Sequence, residues 1–157
     1  MQKINTFLWF DDQAEEAAEF YTSVFGNSRV LDVQHYGDTG PGKPGSVMLV
    51  TFELEGQSFM ALNGGPEFPF TEAVSLYVDC VSQEEVDDLW AKLTAGGGSE
   101  GSCGWLKDKY GLSWQIVPRA LTELLRDPDS EKAGRAMQAM LGMKKIDIPA
   151  LRHAAGE

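Results

Sequence analysis

The apolar positions of this chain fall into one pattern that occurs twice. Leu8-Trp9-Phe10-Asp11 returns as Leu76-Tyr77-Val78-Asp79, and an acidic segment follows each copy. Within those segments the apolar residues keep helical spacing: Ala14, Ala17, Tyr21 and Val24 in the first, Val86, Leu89, Trp90 and Leu93 in the second. One inserted residue brings the copies into step. An internal repeat decides architecture before any single motif does. This one predicts two modules, each a strand, a helix and three further strands.

Residues 4–10 are apolar on both faces, as in a strand covered on both sides. Asp12, with Glu15 three residues on, predicts a capping box at the first helix, and Gly26 predicts its end. Strands are predicted at 30–36, 47–54 and 58–63, with a Gly/Pro-rich loop over 37–45 and a hairpin turn at Glu55-Gly56-Gln57. A linker follows over 64–69. The second module predicts a strand at 74–79 and a helix capped by Ser82 and Glu85 and stopped by Gly96-Gly97-Gly98. Short strands are predicted at 99–103, 105–107 and 112–117, with Lys107-Asp108-Lys109 entering a solvated turn. After Pro118 the pattern turns helical at 121–126 and 130–141. In the longer segment Ala133, Ala136, Met137, Met140 and Leu141 form a stripe suited to packing against the body or a second subunit. Residues 143–148 read as a final docked segment. The fold class is α+β: two βαβββ modules forming a cupped mixed sheet of roughly eight strands, plus C-terminal helices. The main domain spans 1–120 (modules 1–65 and 70–120), and 121–157 is its helical extension.

Composition narrows the function classes. A 157-residue chain that is 43% hydrophobic and 24% charged can bury a core. Its formal net charge of -11 opposes phosphate backbones and anionic membrane surfaces, so no nucleic acid and no membrane is expected as a partner. Cys80 and Cys103, the two cysteines, do not make a disulfide framework. No apolar run reaches membrane-spanning length, and no basic-then-apolar export signal opens the chain, so a cytoplasmic location is the expectation.

Several segments together resemble a known family. They are Leu8 to Asp11, Phe20-Tyr21-Thr22-Ser23-Val24-Phe25, Asp79-Cys80 with Val86-Asp87-Asp88-Leu89-Trp90, Asp108 to Pro118, and Met143-Lys144-Lys145-Ile146-Asp147-Ile148. In order and spacing they resemble the vicinal oxygen chelate superfamily of glyoxalase I, extradiol dioxygenases and bleomycin-resistance proteins. Within it the resemblance is to the PhnB-like branch, labelled 3-demethylubiquinone 3-methyltransferase. The resemblance implies a homodimer, and in metal-dependent members it implies ligands from the first and fourth strands of each module. Those positions fall on Asn5 (Thr6 if the register slips), Ala61, Ala73 with Ser75 along the same face, and Gln115. None is His, Cys, Asp or Glu, the donors a catalytic divalent metal needs. No metal and no cofactor are therefore expected. The methyltransferase label is unsupported too: a nucleotide-like methyl donor calls for a Gly-rich turn from strand into helix. Gly96-Gly97-Gly98 instead follows a helix.

Strand alternation turns Asn5, Phe7 and Trp9, and likewise Ala73, Ser75 and Tyr77, toward the cup. Phe7, Trp9, Phe59, Tyr77 and Trp105 would give it flat apolar walls; Asn5, Asn63, Ser75, Ser113 and Gln115 would give neutral hydrogen-bonding groups, with Ala61 among them. That mixture suits a small, partly aromatic organic ligand. No catalytic constellation stands out: Cys103 has no histidine beside it and reads as a buried spectator thiol. The function expected is metal-independent binding of a small organic molecule in the cup. One competitor is a metal-dependent enzyme of the superfamily drawing ligands from His35, Glu53, Glu67 or the Cys103 region. The other is a structural dimer whose cup is filled, with Asn5 and Gln115 satisfying each other. Elemental analysis of the purified protein should find no stoichiometric metal, and calorimetric titration with zinc, nickel or manganese should give no heat. Tight one-to-one binding would restore the metalloenzyme.

Overall fold

The computed structural model describes residues 2–157. They form two compact units, one ending at Phe70 and the other running from Thr71 to Glu157. The eight expected strands are present, four to each unit's mixed sheet.

The first unit holds β1 (Thr6–Phe10), α1 (Ala14–Val24), β2 (Arg29–His35), β3 (Val47–Leu54) and β4 (Gln57–Asn63). The strand order is β1-β4-β3-β2; β1 runs parallel to β4, and the other pairs are antiparallel. The alanines at 14, 17 and 18 let α1 lie close on the sheet, and they are buried with Tyr21 over Leu8, Val50, Phe52 and Ala61. Tyr21 stacks on Phe52, and Phe52 on Phe59, with ring centroids 6.3 and 5.4 Å apart. Leu54 pairs with Gln57 across a two-residue turn in which Glu55 (φ 49°) and Gly56 (φ 79°) are both left-handed, the turn that matches the natural strand twist.

The start of α1 differs from the sequence expectation. Its N-cap is Gln13, which makes no side-chain cap, and Asp12 has no capping role. Asn63, at the end of β4, supplies the acceptor instead: its Oδ1 accepts from Ala14 N at 2.8 Å. A side chain 49 positions away thus satisfies a donor that a helix end leaves open. At the other end Phe25 is the C-cap and the left-handed residue is Asn27 (φ 50°).

The second unit repeats the plan with β5 (Ser75–Cys80), α2 (Gln83–Thr94), β6 (Ser99–Glu100), β7 (Trp105–Lys107) and β8 (Ser113–Pro118), in the order β5-β8-β7-β6. Here the predicted cap is realised. Ser82 Oγ accepts from Glu85 N at 3.1 Å, and Glu85 Oε1 accepts from Val81 N at 2.8 Å. Val86, Leu89, Trp90 and Leu93 form the buried stripe of α2.

The extension belongs to this unit as α3 (Arg119–Leu125), α4 (Ser130–Leu141) and α5 (Ile148–Ala154). The predicted strand at 99–103 is only two residues long. The next residues serve the extension instead: Cys103 N and Gly104 N donate to Met143 O and Lys144 O, both at 2.8 Å. Gln83 completes the attachment, donating to Ile146 O at 2.9 Å and accepting from Ile148 N at 2.7 Å. The α4 stripe is rotated from its predicted position. Ala136 is buried, with Ala139, Met140 and Met143 against the extension's core, whereas Met137 and Leu141 are exposed.

A further correction concerns Asp108. The sequence places it in a solvated turn, yet it is 2% exposed. Its Oδ1 accepts from Tyr110 N at 2.8 Å and Leu112 N at 3.1 Å, and its Oδ2 from Trp114 Nε1 at 2.9 Å. Burying a carboxylate is costly unless donors surround it, and here three do. Asp108→Ala should lower the unfolding free energy by roughly 1–3 kcal/mol or more, since each buried donor loses its partner. Urea denaturation checks this; a change within about 0.5 kcal/mol, typical of a surface site, would mean the carboxylate is not structural.

Candidate functional site

Residues paired across neighbouring strands point the same way, and direction alternates along each strand. In the second sheet Tyr77 pairs with Gln115 and Gln115 with Trp105, so these side chains share one face. The opposite face carries Trp114, Leu106 and Ile116 into the core. The sequence-derived orientation of this sheet is therefore correct.

Tyr77, Trp105 and Gln115 line a pocket of about 350 Å3 together with Cys103, Val117, Leu121, Thr122, Leu125, Arg126 and Met140. The sheet forms its floor. The side walls come from α3 and α4, with Arg126 at the C-cap of α3 and exposed. Gln115 Nε2 donates to Ser75 Oγ at 3.0 Å, which fixes the amide and leaves its carbonyl oxygen for another partner. Gln115 is thus satisfied by Ser75, not by Asn5. Ser113 shares the face of Ser75 but is buried and lines no part of this pocket.

The first sheet corrects three expectations. Thr6 pairs with Phe59, Leu8 with Ala61 and Phe10 with Asn63. Phe59, Ala61 and Asn63 therefore lie on the face beneath α1, and Phe59 and Ala61 are core residues. Phe7 and Trp9 share the open face with Met60 and Leu62 instead. Trp9 pairs with Leu62 where its counterpart Tyr77 pairs with Gln115, so the true equivalent of Gln115 is one residue beyond Ala61. A one-residue slip reverses every side chain of a strand.

Trp9 is held locally. Its Nε1 donates to Gly65 O at 2.9 Å, its ring meets Phe68 edge-on at 4.9 Å, and a Cβ on Gly64 would overlap it. Phe7 and Asn5 are exposed. Asn63 stitches the unit together: besides capping α1 it donates to Val47 O at 3.1 Å, and its own carbonyl accepts from Tyr36 Oη at 2.6 Å. It also lines a separate cavity of about 500 Å3, rimmed by Asp11, Asp12, Glu15 and Glu16. That rim is a wet, acidic helix start.

The superfamily's metal can be tested against the donor set. Asn5 and Ala73 are exposed, Ala61 is buried in the core, and Gln115 is bonded to Ser75. Replacing Ala61 by the correctly registered Leu62 adds no donor. Of the relocated candidates, His35 is exposed on β2 and Glu53 pairs with Arg29 at 3.1 Å. Among the described residues no group of three or more His, Cys, Asp or Glu side chains could hold a metal ion. These residues do not fit the superfamily's metal. Nor, among the described residues, is any helix long and apolar enough to cross a membrane.

The family model for 3-demethylubiquinone-9 3-methyltransferase matches residues 2–117. Among solved structures, the PhnB protein from Bacillus cereus is 43% identical, aligning 74% of this chain with 99% of that one at a TM-score of 0.68. Protein PA1353 from Pseudomonas aeruginosa is 20% identical over 75% of this chain and 98% of that one, with a TM-score of 0.62. The fosfomycin resistance protein FosX from Listeria monocytogenes, solved with Mn(II) and sulfate, is 16% identical over 73% and 90%, with a TM-score of 0.53. The last two likenesses speak for the fold alone. No curated protein is matched by the sequence.

The two thiols differ. Both are free. Cys80 is fully buried and its pKa is pushed up to about 12 by that burial, with the Glu85 and Asp79 carboxylates adding to the shift. Cys103 is half-buried and lines the pocket, so it is not the buried spectator the sequence suggested. Native protein should react with one equivalent of a disulfide reagent such as DTNB at pH 8, and Cys103→Ser should abolish that reaction. Rapid modification of both thiols would contradict the burial of Cys80.

Proposed function

Because the chain belongs to the PhnB-like, 3-demethylubiquinone-9 3-methyltransferase family of the vicinal oxygen chelate superfamily, we propose that it binds a small organic molecule without a metal. The binding site is the pocket on the open face of the second sheet, beneath the C-terminal helices. One observation carries this reading: Tyr77, Trp105 and Gln115, separate in sequence, line a single cavity of about 350 Å3 with α3 and α4. That volume lies in the range of roughly 300–1,000 Å3 usual for small-molecule sites, which are mostly apolar with a few placed polar groups. Neither a histidine nor a carboxylate lines it. Proton transfer at neutral pH leans on such groups, so binding fits the lining better than acid–base chemistry.

The family's descriptive name speaks of methyl transfer. The strand-to-helix junctions among the described residues are Asp11-Asp12-Gln13, Val81-Ser82 and the direct step from Pro118 to Arg119, none of them Gly-rich. That chemistry gives no support to a nucleotide-like methyl donor. The reading includes assembly as a homodimer in the cytoplasm. Phe7 is half exposed beside Met60 and Leu62, an apolar strip that a second copy would cover.

The neutral dye N-phenyl-1-naphthylamine tests the pocket. Its fluorescence should rise with one dye bound per chain, unchanged by EDTA, and a dye concentration a hundredfold above Kd should add about 2.7 kcal/mol of stability. Thr122→Trp, which fills the cavity from α3, should abolish the signal while the protein stays folded. Dye binding that survives Thr122→Trp, or that needs added metal, would sink the reading.

A further inference from the structure

We propose that this pocket is selective for an amphipathic organic anion, an aromatic or aliphatic body carrying a carboxylate, sulfonate or similar group. The inference rests on the small-molecule reading above and adds the charge of the guest. Tyr77 and Trp105 offer flat apolar surface, and Leu121 and Leu125 continue it along α3. At the rim stands Arg126, whose guanidinium has no ion pair or hydrogen bond among the described residues. Other cations of this unit are paired. Arg119 pairs with Asp79 at 2.9 Å, Lys132 with Asp127 at 3.4 Å, and Lys107 with Glu72.

In a chain of net charge -11, a cation left unpaired at a cavity mouth lined by no carboxylate is the local exception. An anionic oxygen seated there would take charge-assisted hydrogen bonds from a planar fork of donors, which suits arginine better than lysine. Thr122, one turn back on α3, adds a hydroxyl, and the Gln115 amide supplies a neutral contact deeper in. Four of the groups invoked (Leu121, Thr122, Leu125 and Arg126) lie beyond residue 117, where the family match ends. The choice of guest therefore belongs to the extension, not to the shared sheet.

Two dyes with one skeleton separate charge from shape: 1-anilinonaphthalene-8-sulfonate and the neutral N-phenyl-1-naphthylamine. Wild-type protein should bind the sulfonate more tightly, with an affinity that falls as salt rises. Arg126→Gln should weaken the sulfonate roughly fivefold, and Arg126→Glu tenfold or more, while the neutral dye changes by less than about twofold. Equal losses for both dyes, or no loss for the sulfonate, would overturn the charge assignment while leaving the pocket in place. If neither dye binds wild type in a manner that Thr122→Trp abolishes, the pocket reading itself fails, and this inference with it.

Discussion

The bond from Trp114 Nε1 to Asp108 Oδ2, 2.9 Å long and buried, is the constraint on which the second unit depends. Trp114 is the largest fully buried side chain of the unit, and β8 is an interior strand of the sheet, between β5 and β7. Fixing Trp114 inward fixes Gln115 outward, because neighbours on a strand point oppositely. A slip of one residue would bury the amide and expose the indole. Hydrophobic preference opposes that slip, and the Asp108 carboxylate opposes it further: it can be buried only while the turn amides of Tyr110 and Leu112 and the indole all donate to it. The face that carries the pocket is therefore set from beneath, by a side chain that never touches it.

What the sequence made legible was local. The stripe of α2, the Glu55-Gly56 turn and the Ser82–Glu85 cap depend on residues a few positions apart, and they fold as read. What it hid was carried by distant partners. The cap of α1 comes from Asn63, so the nearby Asp12 and Glu15, correctly spaced for the task, do not perform it. Asp108 looked solvated because two lysines flank it, and only the return of Trp114 on β8 reveals the burial. The misplaced face of β4 has a different origin. The repeat is real, but it slips by one residue between β1 and β4, and a slip that leaves the hydrophobic count almost unchanged is invisible until strands are paired.

The candidate site was half legible for the same reason. Tyr77, Trp105 and Gln115 were found because the alternation of the second sheet is regular. Leu121, Thr122, Leu125, Arg126 and Met140 were missed because they sit on helices with no periodic tie to the sheet. Their placement follows from the docking of the extension through Gln83 and through the amides of Cys103 and Gly104. Nothing in the helical pattern of 119–141 specifies which strand face it will cover.

This division bears on what family membership can say about function. The alignment with the Bacillus cereus protein takes in 99% of that chain and 74% of this one, and the family model stops at residue 117. What is shared is therefore the sheet with its helix, a scaffold that hosts many chemistries. The floor of the pocket lies within the shared part, and most of its side wall lies outside it. Two proteins can then agree on the floor while differing in guest, since size and charge are read by the wall. The first unit supplies the contrast within one molecule: the same βαβββ plan, which carries no helical extension of its own, leaves Phe7 exposed and gathers its cavity around the acidic start of α1. The plan alone does not make an aromatic pocket with a cationic rim; the added helices do.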